Sequence, residues 1–282
     1  ERYSFTTASR LNVVSAGFLS HVGQIIPDQT CRVFTNGIDE EFLKTNFYRE
    51  QDNYELPLVT YAGNIGEGQG LHRVIPSVAE ALTGQVRFRI IGNGGRLSQL
   101  KSTLAKAKVT NVELLDSITR DSLLNEYKAA DVLFLHLNDY RAFRKVIPSK
   151  IFEYAATGKP IVAGVSGYAA EFIRHEIPDA QIFDPCDVRG MCNAILLSLK
   201  ANNNFDRKNF CMTYSRTKIM DRMAADILST PCLPSMNNWL NRKSNFTSFQ
   251  GKNPFILWQT AKNFFFAIFK RIHLQIIANA LK

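Results

Sequence analysis

Lys150 and Glu153 stand three residues apart in the run Val146-Ile147-Pro148-Ser149-Lys150-Ile151-Phe152-Glu153-Tyr154, a spacing that places both on one face of a helix. Turned toward a ligand cleft, such a carboxylate suits the two hydroxyls of a ribose and such a lysine suits a diphosphate. The spacing by itself favours an ordinary exposed ion pair. Pro148 can serve as the helix-entry residue and Ser149 can supply a capping oxygen. Upstream lie two glycine-rich turns, Gly63-Asn64-Ile65-Gly66-Glu67-Gly68-Gln69-Gly70 and Gly92-Asn93-Gly94-Gly95, each ahead of a helix-length stretch. Glycine lets a backbone approach a ligand closely, and the unpaired N–H groups of a helix N-terminus attract an anion. One such turn is equally a plain strand-to-helix connection; two on the same sheet edge tilt the reading toward phosphate.

Two phosphate-binding patterns are excluded. Gly63 and Gly68 have the spacing of a P-loop, but Gln69 and Gly70 follow where Lys and Ser or Thr are needed. A dinucleotide site needs an acid at the end of the next strand for the ribose hydroxyls, and that strand ends in Asn93, which argues against hydride transfer. His21, His72, His136, His175 and His273 are scattered, so no metal is expected. Cys31, Cys186, Cys192, Cys211 and Cys232 form no CxxC pair and are odd in number, which suits a reducing compartment.

Positioning these turns requires a regular scaffold, and the pattern from residue 58 onward supplies one. Short apolar or β-branched runs at 58–62, 86–91, 112–115, 132–136, 161–164 and 181–183 alternate with amphipathic stretches at 70–82, 96–107, 120–130, 149–157, 168–174 and 188–200. Such alternation implies crossover connections, hence a parallel Rossmann-like α/β sheet over 57–204 with helices on both faces. Ligands of such sheets sit outside the carboxyl ends of the strands, where the glycine turns fall. Residues 1–38 hold two short strand-like runs around a brief helical stretch, too few for a domain. The polar stretch 39–56 reads as a linker and 205–228 as one long amphipathic helix.

The chain has 282 residues, 45% of them apolar, and a net charge of +9, the composition of a globular protein. That charge is concentrated: residues 229–282 carry seven Lys or Arg and no acid, which leaves 27 bases against 25 acids in 1–228. Within the tail, Trp258, Ala261, Phe265, Ile268, Phe269, Ile272 and Ile276 recur at helical steps opposite Lys262, Lys270 and Arg271. A basic amphipathic helix over 254–282 suits an anionic membrane interface better than a membrane span, and packing against another protein domain is the alternative. Its interleaved phenylalanines are too bulky for a phosphate-reading surface, so nucleic acid is not an expected partner.

The combination of NGID (36–39), YAGNIGEGQG (61–70), IIGNGG (90–95) and PSKIFEYAATGKPIVAG (148–164) resembles the nucleotide-sugar half of family 4 glycosyltransferases of the GT-B fold. With the HLNDYRAF stretch (136–143), it is most similar to the L-fucosamine transferases assigned to bacterial O-antigen gene clusters. The match covers roughly residues 1–228 and implies a UDP-sugar as co-substrate, with no cofactor or obligatory metal. By the same resemblance, 63–70, including Gly63, Asn64, Gly66, Gly68, Gln69 and Gly70, lies against the diphosphate. Gly92, Asn93, Gly94, Ser117 and Ile118 frame the base, and Glu153 holds the ribose. The loop from Asn138 and Asp139 through Lys145 and Pro148 to Ser149 faces the donor sugar, and the helix 209–228 crosses back onto an N-terminal domain. Residues 1–38 then read as the remnant of that acceptor domain, and the chain by itself is expected to bind donor weakly and to transfer little. Lys145 stands eight residues before Glu153 where many members carry a second Glu, and Asn64 and Gln69 replace an Arg and a Lys. Lys145 or Lys150 could restore that charge.

The resemblance implies a retaining transferase that moves an N-acetyl-L-fucosamine-like amino sugar to a lipid-linked saccharide, in lipopolysaccharide O-antigen synthesis on the cytoplasmic face of the membrane. No catalytic residue is assigned. A GT-B nucleotide-sugar epimerase and a non-catalytic UDP-binding fragment remain as alternatives.

Overall fold

The computed structural model describes residues 2–8, 10–27, 31–48, 56–200 and 204–229. The amphipathic tail expected over 254–282 lies outside them. The first part of the chain holds α1 (Arg2–Thr7), β1 (Leu11–Val13), a 3-10 turn at Ala16–Phe18, α2 (Leu19–Ile25), β2 (Cys31–Val33) and α3 (Glu40–Lys44). The main sheet and its crossovers follow: β3 (Leu58–Ala62), α4 (Leu71–Ala81), β4 (Arg87–Ile91), α5 (Leu97–Ala107), β5 (Val112–Leu115), α6 (Arg120–Ala129) and β6 (Val132–His136). After a second 3-10 turn at Arg141–Lys145 come α7 (Lys150–Ala156), β7 (Ile161–Gly164), α8 (Tyr168–Glu176), β8 (Gln181–Phe183), α9 (Val188–Lys200), α10 (Lys208–Thr213) and α11 (Arg216–Leu228). Among the described residues no helix is long and apolar enough to cross a membrane.

The six strands from β3 onward form one parallel sheet in the order β5-β4-β3-β6-β7-β8. Winding runs outward from β3 through β4 to β5, then returns to β6 and runs the other way. The expected α/β class and Rossmann-like sheet are therefore present. The central strands β3, β6 and β7 are buried along their whole length because both faces are covered, whereas β4 and β5 carry Arg89 and Glu113 on one side. Val59, Tyr61, Phe88, Ile90, Val132 and Phe134 point into a core with α4, α5 and α9, while Leu133, Leu135, Ile161 and Ala163 point into a second core with α7 and α8. This is the period-2 alternation of a strand, read out as membership of two different cores.

Three sequence-based expectations change. The stretch 39–56 is not wholly a linker: Phe42 on α3 and Phe47 are buried, and the Phe42 ring stacks on both Phe47 and Tyr127. Polar neighbours mask two core aromatics. The single helix expected over 205–228 is two, because Tyr214 and Ser215 leave helical geometry to meet Ile38. Ile38 donates its amide to the Tyr214 carbonyl (2.8 Å) and accepts from Arg216 (2.9 Å). Ser149 does not cap α7; it is already in right-handed helical conformation and its hydroxyl makes no cap bond.

The N-terminal segment is tied to this body at several points. β1 and β2 pair in parallel, Arg10 reaches Asp226 on α11 (2.7 Å), and the Ser15 hydroxyl donates to the Lys145 carbonyl. At the start of α10 the buried Arg207 guanidinium pairs with Asp179 and donates to the Ala155 carbonyl (3.4 Å), beneath the Phe205 ring. Removing one partner of a buried pair strands the other charge. Asp179→Ala should lower unfolding free energy in urea by about 3 kcal/mol, and adding Arg207→Met in that background should recover most of the loss. Equal stability of Asp179→Ala and wild type would contradict this packing.

Candidate functional site

Because every crossover begins at the carboxyl edge, the glycine turns, the segment after β6 and the N-terminus of α7 all arrive there. The reversal of winding between β3 and β6 leaves the turn 63–70 and the segment 137–149 side by side. Asn138 is the junction between them. Its amide donates to the Gly68 carbonyl (2.8 Å) and its side-chain nitrogen to the Glu67 carbonyl (3.1 Å), while its side-chain oxygen accepts from Arg73 on α4 (2.9 Å). Asn138 is 1% exposed, so it builds the site's frame and does not present a side chain to a ligand.

The two glycine turns are stitched to each other. Gly63 donates to Ile91 (2.9 Å), Ile65 to Asn93 (2.8 Å) and Arg96 back to Ile65 (2.9 Å). A β-carbon on Gly92, whose φ is +135°, would overlap the Gly63 carbonyl, and one on Gly94 would lie 2.5 Å from the Ile65 carbonyl oxygen. These glycines therefore serve turn-to-turn contact. Gly70 begins α4 at φ +58°, a conformation that favours glycine. Asn64 and Gln69 are joined side chain to side chain (2.8 Å), and Asn93 bonds the Gly94 amide through its own oxygen (2.7 Å). Ser117 and Ile118 are exposed after β5, one strand further out than the glycine turns.

Two aromatics cover the first turn. The Phe143 ring sits against Gly68, 2.8 Å from where a β-carbon would be, and the Tyr140 hydroxyl bonds the Glu67 carboxylate. That hydrogen bond, with the Arg96 guanidinium 2.6 Å away on the other oxygen, outweighs partial burial and holds the Glu67 carboxyl below the usual carboxylate range. Asp139 is exposed and pairs with Arg144 (3.2 Å).

Lys150 and Glu153 meet at 2.7 Å, but the pair is neither isolated nor fully exposed. The Tyr127 hydroxyl donates to the same Glu153 oxygen (3.2 Å), and Arg120 lies 3.6 Å from the other oxygen. Arg120 also pairs with Asp39 and lies 4.5 Å over the Phe42 ring. Burial raises the Tyr127 phenol far above its ordinary range, so Tyr127 stays a proton donor to Glu153. Arg73, Arg96, Arg120 and Tyr127 belong to the candidate site without any sequence signal of their own, whereas Tyr140 and Phe143 fall in the HLNDYRAF stretch. The arginines open their helices or lie just beyond a turn, but only the fold shows which of them meet.

The sequence profile of the family described as "Glycosyl transferases group 1" matches residues 44–210. The chain belongs to this family. Over 111 residues it is 29% identical to WcaI of Escherichia coli K12, a protein proposed as a colanic acid biosynthesis glycosyl transferase; that match takes in 39% of this chain and 27% of WcaI. Among solved structures this transferase-family chain resembles Anabaena HepE in complex with UDP and glucose, with a TM-score of 0.64 at 17% identity, covering 80% of this chain and 64% of HepE. A glycosyltransferase from Rickettsia africae gives a TM-score of 0.64 at 14% identity, covering 82% of this chain and 67% of that one. The lipopolysaccharide outer core galactosyltransferase WaaB gives 0.62 at 12%, covering 80% and 63%. At these identities the structural likeness concerns the fold, and the chain spans about two thirds of HepE's length.

The stitched turns make a stability test. Gly92→Ala should cost about 3 kcal/mol, the upper range of backbone strain, because both φ and the Gly63 carbonyl oppose a β-carbon. Gly95→Ala, with open space around it, should cost under about 1 kcal/mol. Chemical denaturation of the two variants reads the difference.

Proposed function

We propose that the chain is the donor-binding part of a glycosyltransferase that takes an N-acetyl-L-fucosamine-like amino sugar from a UDP-sugar and passes it to a lipid-linked saccharide. The reading extends to O-antigen or related cell-surface polysaccharide synthesis, at the cytoplasmic face of the membrane. The observation that carries the donor assignment is the turn 63–70 at the β3/β6 reversal, where backbone amides and the N-terminus of an eleven-residue helix, α4, meet a cationic segment. Between 138 and 150 the chain carries Arg141, Arg144, Lys145 and Lys150 against Asp139 alone. Those surroundings suit a diphosphate and the charge that develops on it as a leaving group. HepE's complex with UDP and glucose supports a nucleotide-sugar donor, and the name of WaaB supports a lipopolysaccharide context. The basic tail at 254–282 supports an anionic membrane surface as partner, and residues 1–38 fit the end of an acceptor-side domain.

Glu153 fits the ribose role without giving up its present partners. Lys150 and Tyr127 share one oxygen, while the other has only Arg120 at 3.6 Å and keeps lone pairs for a hydroxyl. Phe143, by contrast, lies where a diphosphate would approach Gly68, so donor binding requires the Tyr140–Phe143 turn to move aside.

Titration calorimetry with UDP tests both statements. Glu153→Ala and Lys150→Ala should each weaken UDP binding by about tenfold, equivalent to 1.4 kcal/mol. Phe143→Ala should strengthen it several-fold by removing the cost of displacement; unchanged affinity in all three variants would sink the site assignment. Product analysis decides the reaction. Free UDP together with a lengthened saccharide supports transfer, an epimerised nucleotide sugar supports an epimerase, and UDP binding without turnover in the presence of an acceptor-side domain supports a non-catalytic module.

A further inference from the structure

β6 is the strand at which winding reverses, and it reads Val132-Leu133-Phe134-Leu135-His136, apolar until its last residue. His136 is 1% exposed. Its Nε2 lies 2.9 Å from the Cys186 amide, which can only donate, and its Nδ1 lies 2.7 Å from the Gln69 carbonyl, which can only accept. The ring is therefore neutral and carries its proton on Nδ1. It stacks on Phe183 at 5.9 Å, and β7 presents Gly164 to it, where any β-carbon would strike the ring.

His136 completes a pattern begun by Asn138. Three successive carbonyls of the glycine turn, at Glu67, Gly68 and Gln69, are bonded in order by the Asn138 side chain, the Asn138 amide and the His136 ring. In a planar trans peptide the following N–H points opposite to the carbonyl. Of the amides that follow these carbonyls, those of Gln69 and Gly70 bond back within the turn itself. The Gln69 amide makes one long bond to the Gly66 carbonyl (3.3 Å), and the Gly70 amide bonds Gly66 (3.3 Å) and Glu67 (3.1 Å). The Gly68 amide has no partner among the described residues.

We infer that His136 is a positioning residue for the donor: as the neutral Nδ1–H tautomer it pins the Gln69 carbonyl and, with Asn138, fixes the turn so that its unpartnered Gly68 amide is left for the diphosphate. The inference rests on the assignment of 63–70 as the diphosphate site. His136 makes no contact with the ligand itself; it acts through the Gln69 peptide. The same bonds tie the turn 63–70 to the segment after β8, so two separate crossovers share one anchor.

Protonation would set a second ring N–H against the Cys186 amide donor while leaving the Nδ1–H bond to Gln69 in place. The groups around the ring are Arg73 from α4, the Cys186 backbone, and Asn138 with Glu67 beyond it. Burial, with Arg73 added, places the ring's pKa below the ordinary 6.5, against the opposing hydrogen bond to Gln69. With the folded pKa depressed, the stability contributed by the neutral ring is complete above the unfolded value and is lost as pH falls through the folded one.

The test is UDP binding by the full chain at pH 7.5, by calorimetry, for wild type, His136→Asn and His136→Phe. His136→Phe, similar in shape and able to stack on Phe183, should bind about tenfold more weakly, a 1.4 kcal/mol effect. His136→Asn, whose side-chain N–H can stand where Nδ1–H stands, should recover most of that loss. No recovery in a folded His136→Asn chain, or wild-type affinity in a folded His136→Phe chain, overturns the inference. If that variant does not fold, ¹⁵N chemical shifts of the wild-type ring decide: the Nδ1–H tautomer supports the inference and the Nε2–H tautomer overturns it. Absence of UDP binding by wild type removes the site assignment itself and the inference with it, whereas normal wild-type binding with an unaffected variant removes the inference alone.

Discussion

A parallel sheet cannot be closed by hairpins; each strand has to be followed by a crossover, and each crossover has to begin at the same edge. In this chain that constraint brings six strand-to-helix connections, drawn from more than a hundred residues of sequence, to one rim. The reversal of direction between β3 and β6 then parts the helices that follow these two neighbouring strands. The glycine turn after β3 and the cationic segment after β6 become neighbours for that reason. Neither has any sequence proximity to the other.

The rim is built from two kinds of contact. Around the glycine turns it is backbone against backbone, with Gly92 and Gly94 too close to the facing turn for side chains, and Asn138 and His136 taking up the carbonyls. Around α7 it is charge against charge, with Asp39, Arg120, Glu153 and Lys150 linked through Tyr127 and the Phe42 ring. The first is rigid because a backbone has few alternatives once its carbonyls are bonded. The second can exchange partners, since a carboxylate accepts up to four hydrogen bonds and here holds fewer. Under the proposed reading, the rigid part would cradle phosphates and the adaptable part would take hydroxyl groups.

How much of this can be read from residue order depends on what each residue answers to. The six strands of the main sheet are legible to within a residue because their apolar residues answer to burial, on both faces at the centre and on one face at β4 and β5, and Gly63 to Gly70 is legible because glycine at that density marks an unusual backbone. The Lys150 and Glu153 contact is legible because it is local. Tyr127 and Arg120 are not, because they come from another helix and meet Glu153 only after the sheet is assembled. Asn138 lies in the expected neighbourhood, with its side chain buried against the turn 63–70. Its segment is recognisable in the sequence, whereas its inward orientation follows from hydrogen bonds to a turn about seventy residues earlier. Phe42 and Phe47 are hidden by their polar surroundings, and the break at Tyr214 and Ser215 by an otherwise continuous helical period.

The bond from the Ser15 hydroxyl to the Lys145 carbonyl spans 130 positions of sequence, and Gly17 is packed so closely on the same carbonyl that a β-carbon would lie 2.6 Å from it. The segment that bears Phe143 is moored at its far end by these two residues and at its near end by Asn138. Opening energy for such a segment is not its own property: it belongs to a cooperative unit that includes the β1 strand and the turn after it. Loosening the chain near Ser15 would therefore also loosen the segment that carries Phe143 over Gly68.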